Sequence, residues 1–248
     1  SAKKINSFVL YVSRDAMNID GLSEKTIEKF IERGYVHEPA DFYKLEEHRA
    51  EIESMEGFGR RAFEKLINAI NASKNPEIAN FIYSLGILNV GLSTARLIAK
   101  HFEFDFDRIR KASASELTEI DGIGDVIAKS FEDYFANEKN SAMVDRLLEY
   151  IEFKIPEITM GDSENKIMGL TFVITGSVNH FSNRSELKKY IEDRDGKVAG
   201  SVSKNTSYLI NNDNTSTSSK NKKAKELGVP IITEDEFINE FGAPSRKL

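Results

Sequence analysis

Residues 119–131 read EIDGIGDVIAKSF. Gly122 and Gly124 flank a single apolar residue, and a helix-like run follows them. The same arrangement stands at 54–66, SMEGFGRRAFEKL, where Gly57 and Gly59 flank Phe58. Related versions lie at Asp20-Gly21-Leu22-Ser23 and at Asn89-Val90-Gly91. With the central apolar residue as marker, the four fall at 22, 58, 90 and 123, at intervals of 36, 32 and 33. A near-constant period of this size marks a repeated supersecondary unit. Each unit has the same grammar. Apolar or small residues precede the turn (Ala16 and Ile19, Ile52 and Met55, Ser84 and Ile87, Leu117 and Ile120), and an amphipathic run follows it. The pattern predicts four helix–hairpin–helix units.

The residue types at these turns suggest a chemistry. Glycine at the two outer positions is expected to permit positive φ and to remove the Cβ that would keep another group from the backbone. The central residue (Leu22, Phe58, Val90, Ile123) is expected to be buried and to pin the hairpin. The N–H groups of the turn and of the following helix start then point outward together, forming an anion site that the helix dipole reinforces. One such turn is ordinarily a helix cap and a tight bend. Four in register point to a ladder of phosphate contacts, which grip a duplex without reading its bases. The candidate DNA-binding residues are Gly21, Ser23, Gly57, Gly59, Gly91, Gly122 and Gly124, with Lys25, Arg60, Arg61 and Lys129 as nearby cations. Ser23 replaces the second glycine of its unit and Asn89 the first of its own, so the pairs at 57/59 and 122/124 are the stronger candidates. Gly57→Val with Gly122→Val is expected to weaken duplex binding without unfolding the domain.

Residues 13–152 read as short helices with few strand signals; Asp41 and Ser115 are the expected N-caps of two of them. Near 153 the texture changes. FKIPEITMGDSENK reads as a linker. GLTFVITGS then gives a buried strand over Leu170–Thr175. RSELKKYIEDRDG follows as a helix closed by Gly196, KVAGSV and SYLINN as strands, SSKNKKAKELG as a helix closed by Gly228, VPIIT as a strand and EDEFINEFG as a last helix. The order β-α-β-β-α-β-α predicts a small parallel four-stranded sheet. NNDNTSTSSKNKK (211–223) reads as a mobile polar loop running into a helix. The expected fold class is thus multidomain: an all-α tandem helix–hairpin–helix domain over 1–152, a linker over 153–166, and a small α/β domain over 167–248.

Composition narrows the functions. The 248 residues are 40% hydrophobic and 30% charged, which suits folded domains. Without cysteine there is no disulfide or thiolate metal site, and the four histidines lack ligand spacing, so no metal site is expected. No apolar run is long enough for a membrane span. Residues 156–248 hold thirteen Lys or Arg and thirteen Asp or Glu, so the whole net charge of −6 falls in residues 1–155. That would disfavour a nucleic-acid partner for the first part if binding were by side-chain cations. Neutral amide donors escape the objection. No G-x-G-x-x-G, P-loop, G-x-S-x-G or H-E-x-x-H is present, and no catalytic residue is assigned.

VSRDAMNIDGL (12–22), the four hairpin units, and the TFVITGS and KVAGSVSKNTSYLI stretches together resemble the C-terminal half of the bacterial NAD-dependent DNA ligase family, from about Val12 to Phe241. YVHEPADFYKL and FIYSLGILNVG are similar to that family too. The last module resembles a BRCT domain, with Phe237 where a tryptophan is common. The resemblance implies a role in sealing nicks in duplex DNA in replication and repair, a parent enzyme using NAD and magnesium, a cytoplasmic, nucleoid-associated location and a monomer. It also implies an adenylated lysine in a K-x-D-G motif. No such motif occurs here, since Asp20-Gly21 and Asp121-Gly122 lack the lysine two places before the Asp, so this stretch is expected to have no ligase activity alone and no cofactor of its own. The family's four-cysteine zinc finger is likewise missing. Residues 1–12 resemble the lead-in that follows it, and a start at Ser1-Ala2 without Met reads as a piece of a longer protein. In some BRCT domains a Thr/Ser-Gly after the first strand and a lysine near the second helix start hold a phosphate; Thr175, Gly176 and Lys220 are the matching positions, and a protein partner is the other expectation for this module. The competing reading is a BRCT-centred protein-interaction scaffold of a DNA-repair protein, with the hairpins merely packing.

Overall fold

A computed structural model of the chain describes residues 1–156 and 165–242. The chain divides into two compact units, 1–156 and 157–248. The linker expected over 153–166 lies largely outside the described residues, as do 243–248.

The first unit is helical. Its elements are α1 (Ala2–Val12), α2 (Glu24–Glu32), a 3-10 helix (Pro39–His48), α3 (Arg49–Glu53), α4 (Arg60–Ala72), α5 (Ile78–Ser84), α6 (Leu92–His101), α7 (Phe106–Arg110), α8 (Ala114–Thr118), α9 (Asp125–Ala136) and α10 (Glu138–Leu148). Helices this short have little stability alone, so their order comes from a shared core. That core is continuous from Phe8 to Leu147. Phe8 meets Phe42 edge-on at 5.4 Å, and Phe81 meets Phe106 at 5.5 Å and Phe153 at 5.2 Å. A chain of buried hydroxyls runs through it. The hydroxyls of Tyr11 and Tyr43 lie 2.7 Å apart, Tyr43 Oη lies 3.1 Å from Ser73 Oγ, and Ser73 Oγ donates to the Ile70 carbonyl. The segment after α10 stays with this unit although its sequence reads as linker: Glu152 N–H donates to Lys74 O and Lys154 N–H to Pro76 O, both at 2.9 Å.

Two expected caps move. Asp41 sits inside the 3-10 helix, where its carboxylate accepts from the N–H groups of His37 (2.7 Å) and Glu38 (3.0 Å). Ser113, not Ser115, caps α8, accepting from Glu116 N–H at 3.1 Å. In ASASEL, Ser113 alone has a glutamate three residues on, which completes a reciprocal capping box.

The second unit is an α/β sandwich: β1 (Thr171–Ile174), α11 (Arg184–Glu192), β2 (Lys197–Ala199), β3 (Tyr208–Ile210), α12 (Ser219–Leu227), β4 (Ile231–Ile232) and α13 (Glu234–Phe241). All pairings are parallel and the strand order is β2-β1-β3-β4, the expected fold class. Side chains alternate between faces along each strand. Phe172, Ile174 and Ile210 pack with Leu187, Ile191 and Phe237 under α11 and α13. Val173 and Leu209 pack with Ala224, Val202 and Val229 under α12. α11 ends earlier than expected. Asp195, at φ +64°, takes the left-handed turn expected of Gly196. Gly196 is needed for space instead, since a Cβ there would lie 2.5 Å from Ile191 Cγ2 and 2.6 Å from Ile167 Cγ2. Gly228 closes α12 as expected, at φ +69°.

Candidate nucleic-acid interface

The four hairpins are copies of one geometry, and it splits the roles of the two outer positions. The first is always left-handed: Gly21 at φ +91°, Gly57 at +83°, Asn89 at +65° and Gly122 at +94°. Asn is the residue after Gly that best tolerates this region, so Asn89 keeps the turn. The second position is always the N-cap of the following helix, in extended backbone: Ser23, Gly59, Gly91 and Gly124. The expectation that both positions need positive φ is therefore corrected to the first alone. In every copy the cap carbonyl accepts the first helical bond, from Ile27, Phe63, Ala95 or Ala128, at 2.9–3.0 Å. The central residue is buried in three copies. Phe58 is only half-buried, leaning on Phe30 at 5.8 Å.

The second positions carry the information about a ligand. At Gly59, Gly91 and Gly124 a Cβ would meet nothing within 4 Å, and φ there does not demand glycine. Each heads a helix of ten or more residues without a side-chain cap. Neither packing nor a left-handed conformation within the chain asks for glycine here, and the space over the helix start is open. Ser23 differs, because its Oγ accepts from Thr26 N–H at 3.2 Å and takes one of those donors for the fold.

The cations are unevenly deployed. Arg60 and Arg61 are exposed beside the second hairpin, with Arg60 only 3.3 Å from its own-helix Glu64. Lys25 is exposed beside the first. Lys129 is engaged elsewhere: its ammonium lies 2.8 Å from Asp133 and 3.7 Å from Glu132, and the Asp133 hydrogen bond leads the causes that raise its pKa. Arg49, Arg110 and Arg146 are likewise paired with carboxylates. The second hairpin is thus the best equipped for an anion. Geometry also revises the valine test. At φ +83° and +94° a β-branched residue is strained, so Gly57→Val and Gly122→Val are each expected to cost about 1–2 kcal/mol in a urea melt, and a binding loss from them would not be separable from misfolding.

In the second unit Thr175 follows β1, and its N–H is already given to Ile210 O at 3.0 Å. Gly176 has φ +77°, and a Cβ there would lie 2.9 Å from Asn211 Oδ1. Asn211 Nδ2 donates to Asn221 Oδ1 at 2.9 Å, which ties this corner to the start of α12, where Lys220 is half-buried. Thr175 and Gly176 thus lie at the carboxyl end of β1, on the side of the sheet where open α/β sheets bind ligands. The space beside Gly176 is filled by Asn211.

Comparison with known proteins adds a line independent of geometry. Residues 80–144, the third and fourth hairpins, match the family model described as helix-hairpin-helix motif. Residues 163–241 match the BRCA1 C Terminus (BRCT) domain. A DNA ligase of Lachnoclostridium phytofermentans is 55% identical over 237 residues, covering 96% of this chain and 36% of that protein. A DNA ligase of Ruminiclostridium cellulolyticum is 49% identical over the same shares. One from Symbiobacterium thermophilum is 35% identical over 240 residues, 97% of this chain and 35% of that one. This chain is a relative of the DNA ligases. It spans about a third of the length of the curated relatives it matches.

Within this ligase relative, sequence reading missed the polar network of the BRCT domain. Asn211 and Asn221 are buried, at 5% and 0% exposure, in a stretch that reads as a mobile loop. Asn221 Nδ2 donates to Asp213 O, and Asp213 N–H donates to Asn211 Oδ1, so the loop is pinned. Glu234, in what reads as an acidic helix start, is fully buried, and its carboxylate accepts from the N–H groups of Asn179 (2.6 Å), His180 (2.7 Å) and Phe181 (2.8 Å) and from Asn212 Nδ2 (3.1 Å). Among the described residues no group of three potential ligands could hold a metal ion, and no helix is long and apolar enough to cross a membrane.

Proposed function

We propose that this chain is the duplex-gripping, non-catalytic part of an NAD-dependent DNA ligase that seals nicks. The observation that carries the reading is the set of three N-cap glycines, Gly59, Gly91 and Gly124, which the fold itself does not require. Their uncovered amides suit phosphate oxygens and read no bases. An acidic unit can then hold a polyanion, because the donors are neutral. Kinship with DNA ligases and the absence of K-x-D-G in the chain support the division of labour: nucleotide chemistry, with NAD and magnesium, belongs to a part of the parent protein that this chain does not contain. The chain acts as a monomer on nicked duplex, with the BRCT domain assisting.

The test is a fluorescence-anisotropy titration of the chain against nicked duplex, intact duplex and single strand at several salt concentrations. Binding to both duplexes, and weaker binding to the single strand, is expected, since the reading has the hairpins hold the backbone of a duplex. Absence of duplex binding at low salt would overturn the reading in favour of a protein-interaction scaffold.

A further inference from the structure

Charge in the BRCT domain sums to zero but is sorted between the two faces of the sheet. On the face covered by α11 and α13 the lysines are paired: Lys189 with Asp193 at 2.9 Å and Lys188 with Glu192 at 3.8 Å. α13 carries Glu234, Asp235, Glu236 and Glu240 and no cation. The opposite face, covered by α12 alone, carries Lys220, Lys222, Lys223 and Lys225 against a single Glu226. Lys204 joins them from the loop after β2, next to Val202, which packs into the same cluster. Of these five only Lys223 has a carboxylate in range, Glu226 at 3.9 Å; the others have no ion pair among the described residues. Unpaired like charges on one small face repel one another and lower stability, so their accumulation calls for an external partner.

We propose that the α12 face is a contact for the phosphate backbone of duplex DNA. The inference rests on the reading of this chain as a duplex-gripping module and assigns its second domain a share of the grip. The character of the surface favours nucleic acid over protein. Protein interfaces gather aromatic residues, Met and Arg and shed Lys. Here there is no arginine between 195 and 242. The large exposed apolar side chains among the described residues are Leu88, Leu97, Val126, Ile155 and Met168, none of them on this face. What adjoins the lysines instead is Thr217 and Ser219, both exposed and both apt donors to phosphate oxygens; the Thr215 hydroxyl donates to Asp213 Oδ1 at 3.0 Å. Compact ammonium groups on long stems suit a sequence-independent polyelectrolyte contact.

The test uses the full 248-residue chain carrying K222Q, K223Q and K225Q together, with Lys220 left intact so that the corner at Thr175 and Gly176 is undisturbed. The side chains are exposed and their mutual repulsion is relieved, so the melting temperature should hold or rise slightly. The plot of log affinity against log salt should become shallower by about 2–3, close to one per lysine, and affinity at low salt should fall about tenfold or more. An unchanged slope and affinity, in a chain that does bind duplex, would overturn the proposal while leaving the hairpin reading intact. Loss of polyglutamate binding with duplex binding unchanged would assign the face to an acidic protein and overturn it too. No duplex binding by the unsubstituted chain would sink both readings together.

Discussion

Glu234→Ala is expected to destabilise the BRCT domain by about 3–5 kcal/mol, visible as a separate early transition in a urea or thermal melt of the chain. The carboxylate closes the loop 179–181 onto the start of α13 through three backbone N–H groups, and Asn212 completes the set from the end of β3. Truncation leaves those donors buried without an acceptor, and each then costs its desolvation. Glu234→Gln should recover little, because its amide NH2 faces donors. The same site gives a pH dependence. Burial pushes the Glu234 pKa up, but the hydrogen bonds, from Asn179 foremost, push it down further, and the net direction is below the usual carboxylate range. A pKa depressed on folding means that the contribution is complete above the unfolded value near 4.3 and is lost as pH falls through the folded value. Between pH 7 and 5 the domain should therefore keep this contribution, and as pH falls below the unfolded value near 4.3 the advantage of the wild type over the alanine variant should narrow. Glu240→Ala, at an exposed pair with Lys166, serves as the comparison and should change stability by less than about 0.5 kcal/mol. A loss under about 1 kcal/mol for Glu234→Ala would mean that water satisfies the loop amides and that the clamp is not structural.

That clamp also shows where sequence stops being legible. The hairpin array could be read from four recurring turns because a left-handed residue, a buried plug and a helix start are each local demands, met within a few positions. The parallel sheet could be read because Leu170–Thr175, SYLINN and VPIIT are short apolar runs separated by helical ones. Glu234 could not be read, since EDEF has the charge pattern of any solvated first turn. Its burial depends on a loop 53–55 residues earlier in the chain. Asn211 and Asn221 were hidden for the same reason, as a polar run gives no sign that two of its members face inward. Asp41 and Ser115 were near misses of two or three residues, which is the scale on which several neighbouring oxygens compete for one helix start. At the hairpins the sequence reading merged two roles that the structure separates: positive φ belongs to the first position, and an open helix start in extended backbone belongs to the second.

That separation yields the sharper functional test. Gly59→Ser with Gly124→Ser should leave the fold as stable as before or raise it by a few tenths of a kcal/mol per site, because serine is a better N-cap than glycine and φ at both positions is open to any residue. The serine oxygen would then accept an N–H of its own helix, as Ser23 Oγ does from Thr26, and its Cβ would occupy the open space over the amides. An N–H bond to a charged phosphate contributes about 1.5–3 kcal/mol, so losing one at each of the two hairpins should weaken duplex binding by about a hundredfold or more. The salt slope should stay as it was, because a neutral donor displaces no counterion. This is the opposite signature from the lysine substitutions on α12, which flatten the slope. A variant that melts later yet binds more weakly would tie these glycines to the ligand rather than to the fold. Unchanged affinity would mean that the hairpins only pack, and that an acidic helical unit of this kind has no direct hold on DNA.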